Sequence, residues 1–458
     1  MTTLDVSPGD YRIPAKSRWA GAWKIAAAVG ALGLGGAAYG YQFDRERFAF
    51  SYLFGFLVAL SLALGSLFFV MVQFVTKANW GVTVRRVAEL FMRPMPVFAV
   101  LVIPLVLMLP QLFPFVGAKH PAAEAHKEVA GEHAEHGPKS AAEPSPLEEA
   151  RGEGAKEPAA MKDLPVPSIR RLEKAEEASE QKIVEHKRFY LNKQFFLGRL
   201  VAYLLLWYWL AQRFFTWSTD QDKTKALENT AAAQRFAPVG LVIFGITITF
   251  FAFDWLLSLD ATWYSTIFGV YFFAGMCLFN MAILILTTLL LLRSGLLGKA
   301  VNVEHFHDMG KLLFGWIAFW SYIAFAQFFL TWYSNIPDEV AFFHKRWHDN
   351  GGTWKDMSLA LVCLHFFVPF WFMMSRNIKR RLPLLAIGAG FMALMHVMDI
   401  YWIVMPNLGP FDPSLLDLAC LIGVFGVYAA VVLRGMEDYS LVAVGDPRLS
   451  RALHFENA

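Results

Sequence analysis

The chain has 458 residues, of which 56% are apolar, 16% aromatic and only 17% charged, with a mean hydropathy of +0.41. Water-soluble domains carry more charge and less apolar surface, so this composition excludes an ordinary soluble globular protein and points to a polytopic membrane protein. The formal net charge of +3 is explained by basic loops, and no nucleic-acid partner is expected.

About 20 apolar residues cross a hydrocarbon core of about 30 Å, and lipid requires each crossing segment to satisfy its own backbone hydrogen bonds as a helix. Ten spans meet this description, at residues 19–41, 51–75, 95–116, 195–215, 236–259, 263–292, 311–334, 356–374, 382–405 and 415–433. Their apolar runs are continuous and about twice the length of a barrel strand, which excludes a β-barrel. The expected fold class is therefore all-α, a multi-pass bundle of about ten transmembrane helices in the lipid bilayer. The first span follows Arg12, Lys16 and Arg18 and ends in small residues, as a signal peptide would. It starts late, however, and is read as an uncleaved helix after a short segment 1–18.

Residues 77–93, between the second and third spans, set Trp80, Val84, Val87, Leu90 and Phe91 against Arg85, Arg86 and Arg93. That pattern predicts an interfacial helix with its basic residues toward lipid headgroups. The third span, closing the segment 19–117, contains Pro104, Pro110 and Pro114. Residues 118–192 mix Glu, Lys, Ala, Pro and Gly and cannot bury a core of their own, so a partner must order them if they are ordered at all. His120, His126, His133 and His136 fall there at irregular spacing, which reads as a solvated linker rather than a metal tract. Charge pairs four apart over 169–189 predict a surface helix leading into the fourth span. Lys and Arg concentrate in the loops on the side of both termini, which predicts cytoplasmic termini, a cytoplasmic tail at 435–458 and a periplasmic 118–192 linker.

The C-terminal spans, within 193–434, hold the ionisable residues. A carboxylate in hydrocarbon is costly unless paired, hydrated or protonated, and FFAFDWLLSLDATWYSTIFGVY places Asp254 and Asp260 six apart at the periplasmic end of the fifth span. Asn280 lies inside the sixth. Glu304, His305, His307, Asp308 and Lys311 crowd the cytoplasmic mouth of the seventh helix, where Asp308 suits either a helix cap or proton collection. Tyr322, Gln327 and Tyr333 follow along that helix. His365 lies near the middle of the eighth span, and His396 and Asp399 share one face of the ninth, three residues apart. An intramembrane His beside an Asp can pass a proton, glue neighbouring helices, or, with His365, ligate haem b across a depth offset of about 6 Å. Cys277, Cys363 and Cys420 are too scattered for an iron–sulfur cluster or metal site, and no CxxCH for haem c occurs.

The segments ANWGVTVRRVAE, FDWLLSLDATWYSTIFGVY, EHFHDMGKLLFGW and HVMDIYWIVMP resemble the ActF-type membrane subunit of bacterial alternative complex III, a family related to the NrfD and polysulfide-reductase membrane anchors. The resemblance implies two four-helix bundles flanked by a first and a last helix, in a bacterial inner membrane. It also implies a respiratory complex that oxidises menaquinol and reduces a periplasmic cytochrome c or a terminal oxidase. Its partners would be an NrfD-like sister subunit and the multihaem cytochrome c and iron–sulfur subunits that carry the haem c and the clusters. In the sister subunit the quinol head is bound in the first bundle by His, Asp and Tyr side chains. Here that bundle offers Asp254 with Tyr203 and Tyr208 and no histidine. The expected role is therefore proton conduction through the C-terminal half of a chain without its own redox centre, not catalytic alone. A quinone-binding or haem b anchor and a stand-alone secondary transporter are the alternatives.

Overall fold

The computed structural model describes residues 11–117, 182–183, 185–348 and 352–456. The four linker histidines and two thirds of the helix expected over 169–189 lie outside these residues. Two units are distinguished, Met1–Phe113 with Gln194–Ala458, and Pro114–Lys193. The described part of the second is a short helical turn at Pro114–Gly117 and the segment preceding residue 193. The first unit carries the architecture.

Its elements are α1 (Ala22–Tyr41), α2 (Arg45–Val75), α3 (Val82–Met92), α4 (Met95–Leu101), α5 (Ile103–Leu107), α6 (Leu109–Leu112), α7 (Lys193–Thr224), α8 (Leu227–Trp255), α9 (Phe268–Arg293), α10 (Val303–Ser334), α11 (Pro337–Trp347), α12 (Lys355–Met374), α13 (Leu382–Val404) and α14 (Leu415–Asp438). The described residues contain no strand. Nine helical segments among them are long and apolar enough to cross a membrane, the architecture of a polytopic all-α membrane protein. Ten were expected; the difference is α1, which is not among the nine although its 20 residues match a span in length.

α2 is apolar on every face and nearly all of it is buried, as befits a helix surrounded by others. Asp44 caps its start by accepting from the Arg47 amide at 2.8 Å. It packs against α14, α9, α3 and α8. In lipid, helix association depends on close contact and interhelical hydrogen bonds, and both are present: the Ser66 hydroxyl lies 2.6 Å from Asn280 Oδ1. α1 packs along α14 with Gly33 facing Gly423, so near that a Cβ on Gly33 would stand 2.5 Å from the Gly423 nitrogen. The third span is broken into α4, α5 and α6 because Pro104 and Pro110 lack an N–H and their rings displace the carbonyls four residues back.

The basic residues of α3 do not face headgroups. Every residue of α3 is buried, Arg85, Arg86 and Glu89 included. Arg85 pairs with Glu89 at 2.7 Å and Asp446 at 2.9 Å, and Arg86 with Glu89 at 2.7 Å and Asp222 at 2.6 Å. Arg448 also holds Asp446, at 2.8 Å, and the Gly445 amide donates to Asp222. A guanidinium removed from water needs acceptors for its N–H groups, and carboxylates also offset its charge. Here Glu89 comes from α3 itself, while Asp222 comes from the end of α7 and Asp446 from the C-terminal tail; sequence spacing alone could not bring the last two there.

Burial would raise the Asp446 carboxyl, but Arg85 and Arg448 outweigh it and hold it well below the usual carboxylate range. A depressed carboxyl stabilises fully at neutral pH, and that contribution is lost as the pH falls below about 4, the ordinary aspartate value. Hydrogen exchange of the tail, corrected for its intrinsic pH dependence, is expected to accelerate below that pH. Asp446→Asn is expected to give fast exchange at neutral pH with no acid step; slow exchange in the variant would show that the tail is held by other contacts.

Candidate functional site

Asp399, on α13, is 1% exposed and enclosed by α9, α10 and α12. The Tyr271 hydroxyl of α9 donates to its Oδ1, and the Trp320 indole N–H of α10 donates to its Oδ2 at 3.2 Å. Its partners are neutral donors. His396, one turn along α13, is fully buried and stacks on Phe279 at 4.8 Å. His365 is fully buried and stacks on Trp320 at 3.7 Å, so Trp320 touches both His365 and Asp399. No protein group reaches any of the four ring nitrogens of these histidines. A Cβ on Gly275 would stand 3.1 Å from His396 Nδ1 and 3.6 Å from Asp399 Oδ2; the bare glycine lets α9 approach them.

His365 lies in a wide helical turn, Val362–Phe367. Pro369 follows, and its ring would clash with the His365 carbonyl in a regular helix. The widened turn relieves the clash, and such turns occur often at functional sites. FFVPF was a visible signal for it. Sequence reasoning also missed Tyr271 and Trp320, which are indistinguishable from ordinary aromatic core residues until the helices are packed.

The groups expected to conduct protons are only partly brought together. His396 and Asp399 share a face, as expected, but no hydrogen bond joins them. Asp399 does not lie at mid-span: five residues, about 7.5 Å, separate it from the end of α13. Nearby, Arg346 of α11 is 1% exposed and donates to the carbonyls of Phe342, Trp402 and Ile403. Asp260 lies 3.6 Å from Lys345 at that same end. Gln327 is buried and accepts from Ser265 while donating to Thr331. Tyr322 and Tyr333 are exposed, at 67% and 76%, on the outer face of α10 and join no inner chain.

At the start of α10, Asn302 is the cap, in a reciprocal arrangement with His305; Asp308 instead pairs with Lys311. Glu304 meets Arg380 at 2.7 Å and lies 4.0 Å from His307. Lys379 donates to the carbonyls of Met373 and Met374 and closes the end of α12. These groups gather at one mouth, about 18 Å along α10 from Trp320, since twelve residues separate Asp308 from it.

Asp254 stands apart from this group. Arg199 of α7 bonds both its oxygens, each at 2.8 Å, and the Tyr203 hydroxyl donates at 2.8 Å. Tyr208 is exposed.

Haem b does not fit the two histidines. Trp320 covers one imidazole and Phe279 the other, α9 presses against His396 through Gly275, and the large cavity of this half is lined by neither histidine. Among the described residues no three His, Cys, Asp or Glu side chains are grouped as a metal site requires. Comparison of the chain with models of known families and with curated proteins gives no match.

Asp254 is therefore assigned to the frame. Arg199→Gln is expected to lower stability by about 3–5 kcal/mol through an uncompensated buried carboxylate. Adding Asp254→Asn should recover most of it, as read by thermal unfolding in detergent. Impaired proton movement in Asp254→Asn at unchanged stability would return the residue to a proton path.

Proposed function

We propose that the chain is an ActF-type membrane subunit of a respiratory quinol:electron acceptor oxidoreductase similar to bacterial alternative complex III, and that it conducts protons through its C-terminal half. The observation that carries this reading is Asp399, a buried carboxylate whose protein donors are neutral and which has two buried, otherwise unbonded histidines beside it. A carboxylate kept for structure alone is normally paired with a cation, as Asp254 and Asp446 are here. One held by neutral donors can take up and release a proton without breaking an ion pair.

In this reading the mouth at Glu304, His307 and Asp308 exchanges protons with the cytoplasm, and bridging waters connect it with His396 and His365. A neutral imidazole accepts a proton on one nitrogen and releases one from the other. Asp399 receives it, and Tyr271 and the Asp260 end lead toward the periplasm. The reading includes two four-helix bundles with α1 and α14 as flanking helices; the packing of α9 with α10 and α13, of α12 with α10 and α13, and of α1 along α14 supports the second bundle and the flanking pair. The haem c, the iron–sulfur clusters and menaquinol oxidation belong to partner subunits, and both termini face the cytoplasm. A stand-alone transporter is less well supported, because the broken segment α4–α6 carries no acidic or histidine side chain for an ion or substrate.

Two measurements test this. Purified from its native membrane, the chain is expected to comigrate with haem c and iron–sulfur subunits; isolation as a single protein that carries solute flux would replace this reading with a transporter. In proteoliposomes of the whole complex, Asp399→Asn with His396→Phe is expected to lower charge movement about 10²-fold, as for loss of a proton-transfer group, while assembly is preserved. Wild-type charge movement would make the pair structural glue.

A further inference from the structure

A cavity of about 610 Å³ lies between α10 and α12 beneath α11, and its floor is made by Tyr271 and Trp320, the two residues that hold Asp399. Phe325, Val362 and Phe367 on its rim are half or more exposed, so it opens sideways on helices long and apolar enough to cross a membrane. The volume is that of a ligand site. Its walls are almost wholly apolar, and the hydroxyl and amide groups of its inner wall are already engaged: Ser321 donates to the Ala318 carbonyl, Ser358 to that of Trp354, and Gln327 bonds Ser265 and Thr331. Water needs two to four polar partners in such a space, and a ring bearing carbonyl groups would need donors. A hydrocarbon chain needs neither.

We propose that this cavity is a binding site for one acyl chain of a membrane phospholipid, which lies against the outer faces of Tyr271 and Trp320 and keeps bulk water from reaching Asp399 through the side of the bundle. Trp347 of α11 lines the cavity at its roof, the end at which the polar part of the lipid lies, as tryptophans commonly mark a membrane interface. Tyr271, Trp320 and Trp402 on its inner side are buried behind the exposed rim, a recess that a single flexible chain can enter. Occupancy stands on the cavity alone, whereas insulation of Asp399 rests on the proton-conducting reading.

The experiment uses the intact protein in its native assembly, reconstituted with a phospholipid that carries a photoreactive group on its acyl chain, and maps the cross-links by mass spectrometry. Cross-links on α10 and α12 at the cavity wall are expected, together with a phospholipid retained through detergent exchange. Ala324→Trp, which fills the cavity, should reduce both at least fivefold. Cross-links confined to other faces of the bundle, or unchanged labelling in Ala324→Trp, would overturn the proposal, as would a retained quinone competing with the probe. Should that variant fail to assemble, the wild-type cross-link map and competition by unlabelled phospholipid decide. Charge movement is measured separately: labelling as expected with proton leak unchanged in Ala324→Trp keeps the site, whereas labelling lost with no retained lipid removes it whatever the proton reading.

Discussion

A charge withdrawn from water into this molecule must find a compensating partner, and that constraint organises the structure. Arg85 and Arg86 draw in Glu89, Asp222 and Asp446 at one end. At the other, Arg47 meets Asp417, which also accepts from Ser51 and Tyr401. Arg199 meets Asp254. Breaking one partner of such a pair is costly because the other is left stranded, whatever the net worth of the pair. Each cluster joins segments distant in sequence, so charge compensation here also fixes which helix ends meet. Asp399 differs from these carboxylates: its donors are an indole and a phenol, and the proposed function rests on that difference in partners.

Close packing supplies the rigidity that such a site needs. Hydrocarbon tails are as apolar as leucine, so helices gain by contact and hydrogen bonding rather than by escaping water. Glycines let α1 reach α14 and let α9 reach His396, while α2 fills the centre. The widened turn of α12 turns His365 onto Trp320. Phe, Tyr, Trp and His rings stacked around the carboxylate leave it in a fixed, low-dielectric setting, where protonation and hydrogen bonding carry more energy than in water.

Much of this was legible in the sequence. Continuous apolar runs gave the helical class and most spans, because length and apolarity are local properties. His365, His396 and Asp399 stood out because ionisable residues are rare in such runs, and the structure places all three in one buried region. Other features depend on what a third or fourth segment contributes. Arg85 and Arg86 look like headgroup ligands until the tail supplies Asp446 and α7 supplies Asp222. Asp254 and Asp260 look like a pair, yet Arg199 takes one and Lys345 the other. Tyr322 has a suitable hydroxyl but points outward, since its position around α10 was decided by packing.

The central claim is that Asp399 changes protonation as the protein works. Infrared difference spectroscopy on the intact complex, comparing resting and turning-over states, reads the carbonyl stretch of a protonated carboxyl directly. A carboxyl band that appears or disappears with turnover, shifts with hydrogen–deuterium exchange and is missing in Asp399→Asn is the predicted result. A spectrum with the same carboxyl bands in wild type and Asp399→Asn would contradict the account.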